Sequence, residues 1–214
     1  MVSSLWLRIK LISSLILIIT GVHVLNVILD LQLGNYGIIP RSESHWFHIY
    51  TSPFIHGNLG HLINNLFGLA VFSAFCLLRS VSFYLLSSIF IITLTGALIW
   101  MFGRDAVHIG ASGWIFGLWS LSISIALFDR RLVNIVSGFM VFFFYGSMIY
   151  GVLPSDPNIS FEAHLFGAVS GVFFAFFYSI KIRPKQKMLR LETDGQFKKM
   201  NLKAPWDKRP IRSK

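Results

Sequence analysis

Ser112, His164, His61 and Asn65 stand inside apolar stretches of this chain, where polar side chains are expensive. In hydrocarbon such groups persist when they face a bundle interior or water, so each is a functional candidate. A serine hydroxyl is a weak nucleophile that needs a neighbouring base, and neutral imidazole accepts its proton near pH 7. Ser112 and His164 therefore suit the nucleophile and the base of an acyl transfer, the plainer alternative being two interhelical hydrogen-bonding residues. His61 and Asn65 lie one helical turn apart on a shared face, where imidazole and carboxamide N–H groups suit a developing oxyanion. Two such ligands without an adjacent Cys, Asp or Glu fall short of a zinc site, so no metal and no cofactor is expected. Glu162, the nearest acid to His164, would point about 200° away from it on a helix. A dyad is expected in place of a triad.

The elements that must position these groups follow from composition. The 214 residues are 54% hydrophobic and only 13% charged, with a mean hydropathy of +0.65, which marks a polytopic membrane protein. Six apolar runs cover roughly residues 11–33, 58–78, 81–103, 111–128, 132–152 and 161–180, about the length that spans a bilayer. The first follows Arg8 and Lys10 but is too long for a signal peptide and has no clear cleavage site, so it reads as a retained transmembrane helix. The net charge of +10 comes mostly from a tail, since 12 of the 19 Lys and Arg fall at residues 181–214. That distribution argues against nucleic acid and for an anionic lipid surface. The expected organisation is a six-helix membrane domain over 1–180 and a basic cytoplasmic tail over 181–214. Cys76 is the single cysteine, expected to be a packed core residue with no disulfide framework.

Orientation follows from the basic flanks. With the N-terminus inside, Arg8, Lys10, Arg79, Arg130 and Arg131 face the cytoplasm, against Arg41 and Arg104 outside. Both termini are then cytoplasmic, and segments 2, 4 and 6 run inward. His61 lies 18 residues from Arg79, Ser112 18 from Arg130 and His164 17 from Lys181. At about 1.5 Å per residue, all three lie roughly 25–27 Å above the inner boundary. One nucleophile and two imidazoles share one depth near the outer surface.

Glycines supply the close approach. Gly113 with Gly117, and Gly167 with Gly171, form small-xxx-small faces on segments 4 and 6, and if those faces meet, serine and histidine come within reach. His23, Asn26, Asn134 and Ser137 are expected to make structural hydrogen bonds between helices. Ser160 is a candidate N-cap with Glu162 in the first turn. The outer loop 34–57 holds Gly34, Gly37, Pro40 and Pro53 as breakers, and the short loop 153–159 is a candidate mobile cap over His164.

Four pieces in order carry a resemblance: Gly37-Ile-Ile-Pro40-Arg41, His56 through Asn65, Gly110-Ala-Ser112-Gly113, and Glu162-Ala-His164-Leu-Phe-Gly167 with Gly171. Over roughly residues 9–180 the chain resembles the rhomboid family of intramembrane serine proteases, in its simple six-helix and mostly prokaryotic form. The resemblance implies an all-α rhomboid-like bundle with a Ser112–His164 dyad that cleaves transmembrane segments near the outer face. It further implies an oxyanion site made by His61, Asn65 and the Ser112 backbone N–H, with His56 at the helix mouth and Phe116 against the catalytic histidine. Gly110, Gly113, Gly167 and Gly171 are its supporting residues. Where many bacterial members carry a Trp-Arg pair, this chain has Phe47-His48.

The expected protein is an intramembrane serine endopeptidase of a prokaryotic inner membrane, with single-span or other transmembrane proteins as substrates. A catalytically inactive relative that binds transmembrane segments for quality control is the alternative. A transporter is disfavoured, because it predicts internal repeats and polar sites near the midplane.

Overall fold

The computed structural model describes residues 2–154 and 159–201, with side chains for 5–154 and 159–181. Six α-helices follow one another: α1 (Val2–Leu29), α2 (Leu59–Arg79), α3 (Val81–Phe102), α4 (Ser112–Phe128), α5 (Leu132–Tyr145) and α6 (Phe161–Asn201). The loop before α2 folds into short 3₁₀ turns at Leu33–Tyr36, Glu43–Tyr50 and Ser52–Phe54, and a fourth at Gly146–Val152 prolongs α5. Among the described residues the only β-type pairing is an isolated bridge between Ile38 and His108. The chain divides into two units, Met1–Phe176 and Phe177–Lys214. The first holds α1 to α5 and the start of α6, and the second is helical as far as Asn201. The lipid-anchor expectation for the tail rests on side chains outside the described residues, and the cap expectation falls largely on residues 155–158, also outside them.

Five stretches are long and apolar enough to cross a membrane: Leu5–Leu29, Leu59–Arg79, Val81–Phe102, Leu132–Val152 and Phe161–Lys181. The expected sixth, α4, has 17 residues and rises only about 26 Å. It is short because the chain before it is irregular, and Gly110 there takes a φ of +109° that L side chains rarely adopt. Irregular backbone at membrane depth is tolerated where protein covers it. Ile38 provides that cover, exchanging both backbone hydrogen bonds with His108 at 2.9 Å.

Burial follows position in the bundle. α4 is buried along most of its length, from Gly113 through Ser122 without a break, and packs against α2, α3 and α5. By contrast α1 exposes Leu17 and Ile28 at 70% and 71%. An apolar surface of that extent is at home against acyl chains.

Short polar side chains join the helices inside. Ser73 donates to the Tyr84 hydroxyl at 3.1 Å, Thr95 to Ser170 at 3.1 Å, and Ser120 to the Ala168 carbonyl at 2.7 Å. Cys76 is buried as expected. At the other end of the bundle from Ser112, Arg79 closes α2 with a buried ion pair to Asp129 at 2.5 Å and a hydrogen bond to Asn134 at 2.7 Å. Asp129 also pairs with Arg131 at 2.8 Å. His23 and Asn26 make structural bonds too: His23 Nδ1 donates to the His56 carbonyl at 3.2 Å, and Asn26 Oδ1 accepts from the Leu33 N–H at 2.8 Å.

Candidate active site

Each candidate residue enters from the first turns of a helix. Asn58 caps α2, its Oδ1 accepting from the His61 N–H at 2.8 Å, so His61 stands in the opening turn. Ser112 is the first residue of α4, where backbone N–H groups lack intrahelical acceptors and the helix dipole is positive. Ser160 caps α6 by accepting from the Ala163 N–H at 3.2 Å. That cap sets His164 in the first turn as well.

Helices α4 and α6 meet through their glycines. A Cβ on Gly113 would sit 3.0 Å from the Ala163 carbonyl oxygen, and one on Gly117 3.1 Å from that of Gly167. A Cβ on Gly167 would collide with the Gly113 carbonyl, and one on Gly171 with that of Gly117. Both small-residue faces are therefore used, at backbone contact. Ser112 and His164 flank this seam.

The His164 ring is held on two sides. Phe116, one turn beyond Ser112, stacks on it with centroids 4.0 Å apart and planes 6° from parallel. Its Nδ1 donates to the Gly151 carbonyl at 2.9 Å. A carbonyl oxygen only accepts, so the proton sits on Nδ1 and Nε2 is left with its lone pair. Glycine at 151 leaves room for the stack, because a Cβ there would lie 2.7 Å from Cζ of the Phe116 ring and push it.

The Gly110 turn presses on His61, where an added Cβ would fall 2.5 Å from both Cε1 and Nε2. Asn65 is buried and spends one of its two N–H groups on the His61 carbonyl at 2.8 Å, leaving the other. His56 lies just outside α2, edge-on to His61 with centroids 5.0 Å apart. Burial, reinforced by the charge of His61, pushes its pKa down to about 4.

Thus the structure gathers His56, His61, Gly110, Gly113, Phe116, His164 and Gly167 around the first turns of α4, with Asn65 a turn deeper in α2 and Gly171 further along the seam, against Gly117 and Ser120. Glu162 pairs with Arg104 at 3.4 Å, while the Nδ1 of His164 is taken by the Gly151 carbonyl. The outer loop is anchored by His48, whose Nδ1 donates to the Gly37 carbonyl at 3.0 Å. Sequence reasoning missed three contributors: Gly151 as the partner of His164, and His108 and Arg104 as partners of the α6 start. No group of three or more His, Cys, Asp or Glu able to hold a metal occurs among the described residues.

Comparison with known proteins decides the family. The family model of the rhomboid domain matches residues 43–181. The chain belongs to the rhomboid family. Such a rhomboid is an all-α, integral multi-pass membrane protein, and its family is one of intramembrane proteases. The chain is 31% identical over 173 residues to the uncharacterized protein Rv1337 of Mycobacterium tuberculosis, covering 77% of this chain and 71% of the relative. It is 27% identical over 144 residues to YdcA of Bacillus subtilis, assigned by name to the rhomboid proteases, covering 63% and 68%. With rhomboid-like protein 11, chloroplastic, of Arabidopsis thaliana it shares 29% over 150 residues, covering 63% and 53%.

Proposed function

We propose that this rhomboid is a serine endopeptidase that cleaves transmembrane segments with a Ser112–His164 dyad. The observation that carries the reading is the state of His164. With Nδ1–H on the Gly151 carbonyl and Phe116 flat against the ring, the basic Nε2 is held in one orientation. Ser112 Oγ attacks the scissile carbonyl as His164 Nε2 takes its proton. The C–N bond then breaks, the leaving amine receives that proton from His164, and water hydrolyses the acyl-enzyme by the same route. His61, Asn65 and the Ser112 backbone N–H donate to the oxyanion.

Both termini face the cytoplasm of a prokaryotic cell in this reading, and the site opens near the outer face. Substrates are single-span or other transmembrane proteins whose helices unwind locally and enter beside α2 and α5. The decisive experiment incubates purified protein with a labelled, unwinding-prone single-span substrate, beside Ser112→Ala. Cleavage by the natural protein and none by the variant is expected, with fluorophosphonate labelling lost in parallel. Cleavage that survives Ser112→Ala overturns the dyad, and a natural protein that neither cleaves nor labels favours the inactive, segment-binding alternative.

A further inference from the structure

His108 is buried, 3% exposed, and lies four residues before Ser112. Ser160 lies four residues before His164, and the two side chains are joined by a 2.7 Å hydrogen bond between His108 Nδ1 and Ser160 Oγ. We propose that this bond is a positioning strut that sets the separation of Ser112 from His164. The inference rests on the dyad reading above and deepens it.

The direction of the bond follows from its neighbours. His108 Nε2 lies 3.1 Å from the Arg104 carbonyl, which only accepts, so Nε2 carries the proton and Nδ1 is the acceptor. Ser160 therefore donates its hydroxyl hydrogen to His108 at 2.7 Å rather than to Glu162 Oε2, which lies 3.5 Å away, while its oxygen accepts from the Ala163 N–H at 3.2 Å. One hydroxyl both starts α6 and fastens it to the loop that leads into α4.

The loop end of the strut is rigid. His108 exchanges both its backbone N–H and its carbonyl with Ile38 at 2.9 Å, so its Cα cannot follow a drifting α6. A second tie joins the same two segments, with Arg104 paired to Glu162 at 3.4 Å and donating to the Ile159 carbonyl at 2.7 Å. Below the dyad, the Gly113–Gly167 contact fixes the helices backbone to backbone. Ser112 lies between residues 108 and 113, and His164 between 160 and 167. The dyad is bracketed by one polar and one glycine contact between the same two strands of chain.

The glycine seam holds the helices at two levels, Gly113–Gly167 and Gly117–Gly171, but both lie on the far side of the dyad from the start of α6, so the ends that carry Ser112 and His164 can still splay without a tie of their own. The strut removes that freedom where the reacting atoms lie. A displacement of about 1 Å at a reacting centre can cost on the order of a hundredfold in rate, so loosening one of two ties is expected to cost about tenfold.

The test uses Ser160→Gly, which keeps most of the N-cap preference but removes the hydroxyl, Ser160→Thr, which restores it, His108→Phe, and the His108→Phe/Ser160→Gly pair. Readouts are kcat and KM for the labelled substrate and the rate of fluorophosphonate labelling of Ser112. Ser160→Gly is expected to lower kcat and the labelling rate about tenfold with KM within about twofold, and Ser160→Thr to recover both. The double variant is expected to be no worse than the poorer single one, as for two residues in one interaction. Unchanged kcat in folded Ser160→Gly, failure of Ser160→Thr to recover it, or multiplying losses in the double variant overturns the strut alone. A natural protein that neither cleaves nor labels overturns the dyad and the strut together.

Discussion

Replacing Gly110 by alanine tests the closest approach in the candidate site. A Cβ there would lie 2.5 Å from two atoms of the His61 ring, where ordinary contact is about 3.5–4.0 Å, so something must retreat by about 1 Å. The loop is the stiffer side. Gly110 N–H donates to the Ser52 carbonyl at 2.9 Å, and two residues earlier His108 is bonded to Ile38 at both backbone groups. The His61 ring therefore moves, and for the oxyanion donor proposed above a displacement of about 1 Å costs on the order of a hundredfold in kcat. The φ of +109° adds about 1–3 kcal/mol of backbone strain in an L-residue, with a similar amount for overpacking. Stability is thus expected to fall by about 2–6 kcal/mol. Cys76 is buried and the only cysteine, so a fluorogenic maleimide that reacts on exposure reports unfolding without further engineering. Gly21→Ala is the control, since a Cβ at Gly21 meets nothing within 4 Å. It is expected to be neutral or to stabilise α1 by about 0.5–1 kcal/mol. If Gly110→Ala matched the natural protein in both cleavage and melting, the reasoning about His61 would be refuted.

Two further expectations concern stability. Asp129→Ala removes the carboxylate that pairs with both Arg79 and Arg131; with the Arg79 and Asp129 side chains only 6% and 4% exposed, the loss is expected near 3 kcal/mol, the Asn134 contact limiting it, and a loss under about 1 kcal/mol on maleimide melting would mean the pair is solvated. The pKa of His56 is about 4 in the fold against an ordinary 6.5, so between those values the unfolded chain binds more protons. Its contribution to stability is complete above pH 6.5 and is lost as pH falls toward 4; His56→Gln should flatten the melting profile across that window, and an unchanged slope would assign the effect elsewhere. Burial lowers the His108 pKa as well, so some slope remains in that variant.

The helices were legible because lipid leaves a strong compositional signal, and the starts of α2, α3 and α6 follow from Asn58, Ser80 and Ser160 as caps; α6 runs on to Asn201 past the expected end at 180, because a basic flank marks where an apolar run stops and does not itself stop a helix. Less legible was the first helix, which ends at Leu29 in place of residue 33, because Asp30 and Gln32 turn the backbone to positive φ with neither Gly nor Pro to signal it. In the site, His61, Ser112 and His164 stood out as polar groups in apolar runs, and the glycine faces as four-residue repeats. Gly151 was invisible for a physical reason: it acts through a carbonyl, which every residue has. The His108–Ser160 and Arg79–Asp129 pairs join residues 52 and 50 positions apart, and one sequence does not say which distant polar groups will meet. Arg79 near a span end and Asp129 near another were nonetheless opposite charges at one expected depth, a signal that was available.

The absence of an acid beside His164 changes what the rest of the site must do. In a serine triad the carboxylate fixes the imidazole tautomer and stabilises the imidazolium formed as the serine loses its proton. In the proposed dyad those duties separate. The Gly151 carbonyl takes the first, since it holds the proton on Nδ1. It offers only a dipole for the second. Phe116 supplies the remainder, because its π face lies parallel to the ring at 4.0 Å, within the range of a cation–π contact worth about 0.5–2 kcal/mol. That contact is stronger for imidazolium than for neutral imidazole, so it favours the reacting state over the resting one. A buried carboxylate would need its own partners to remain charged at this depth, whereas a carbonyl and a phenyl ring need none. The one acid close in sequence, Glu162, is instead neutralised by Arg104. Its contribution is to the position of α6, and through it to the place of His164.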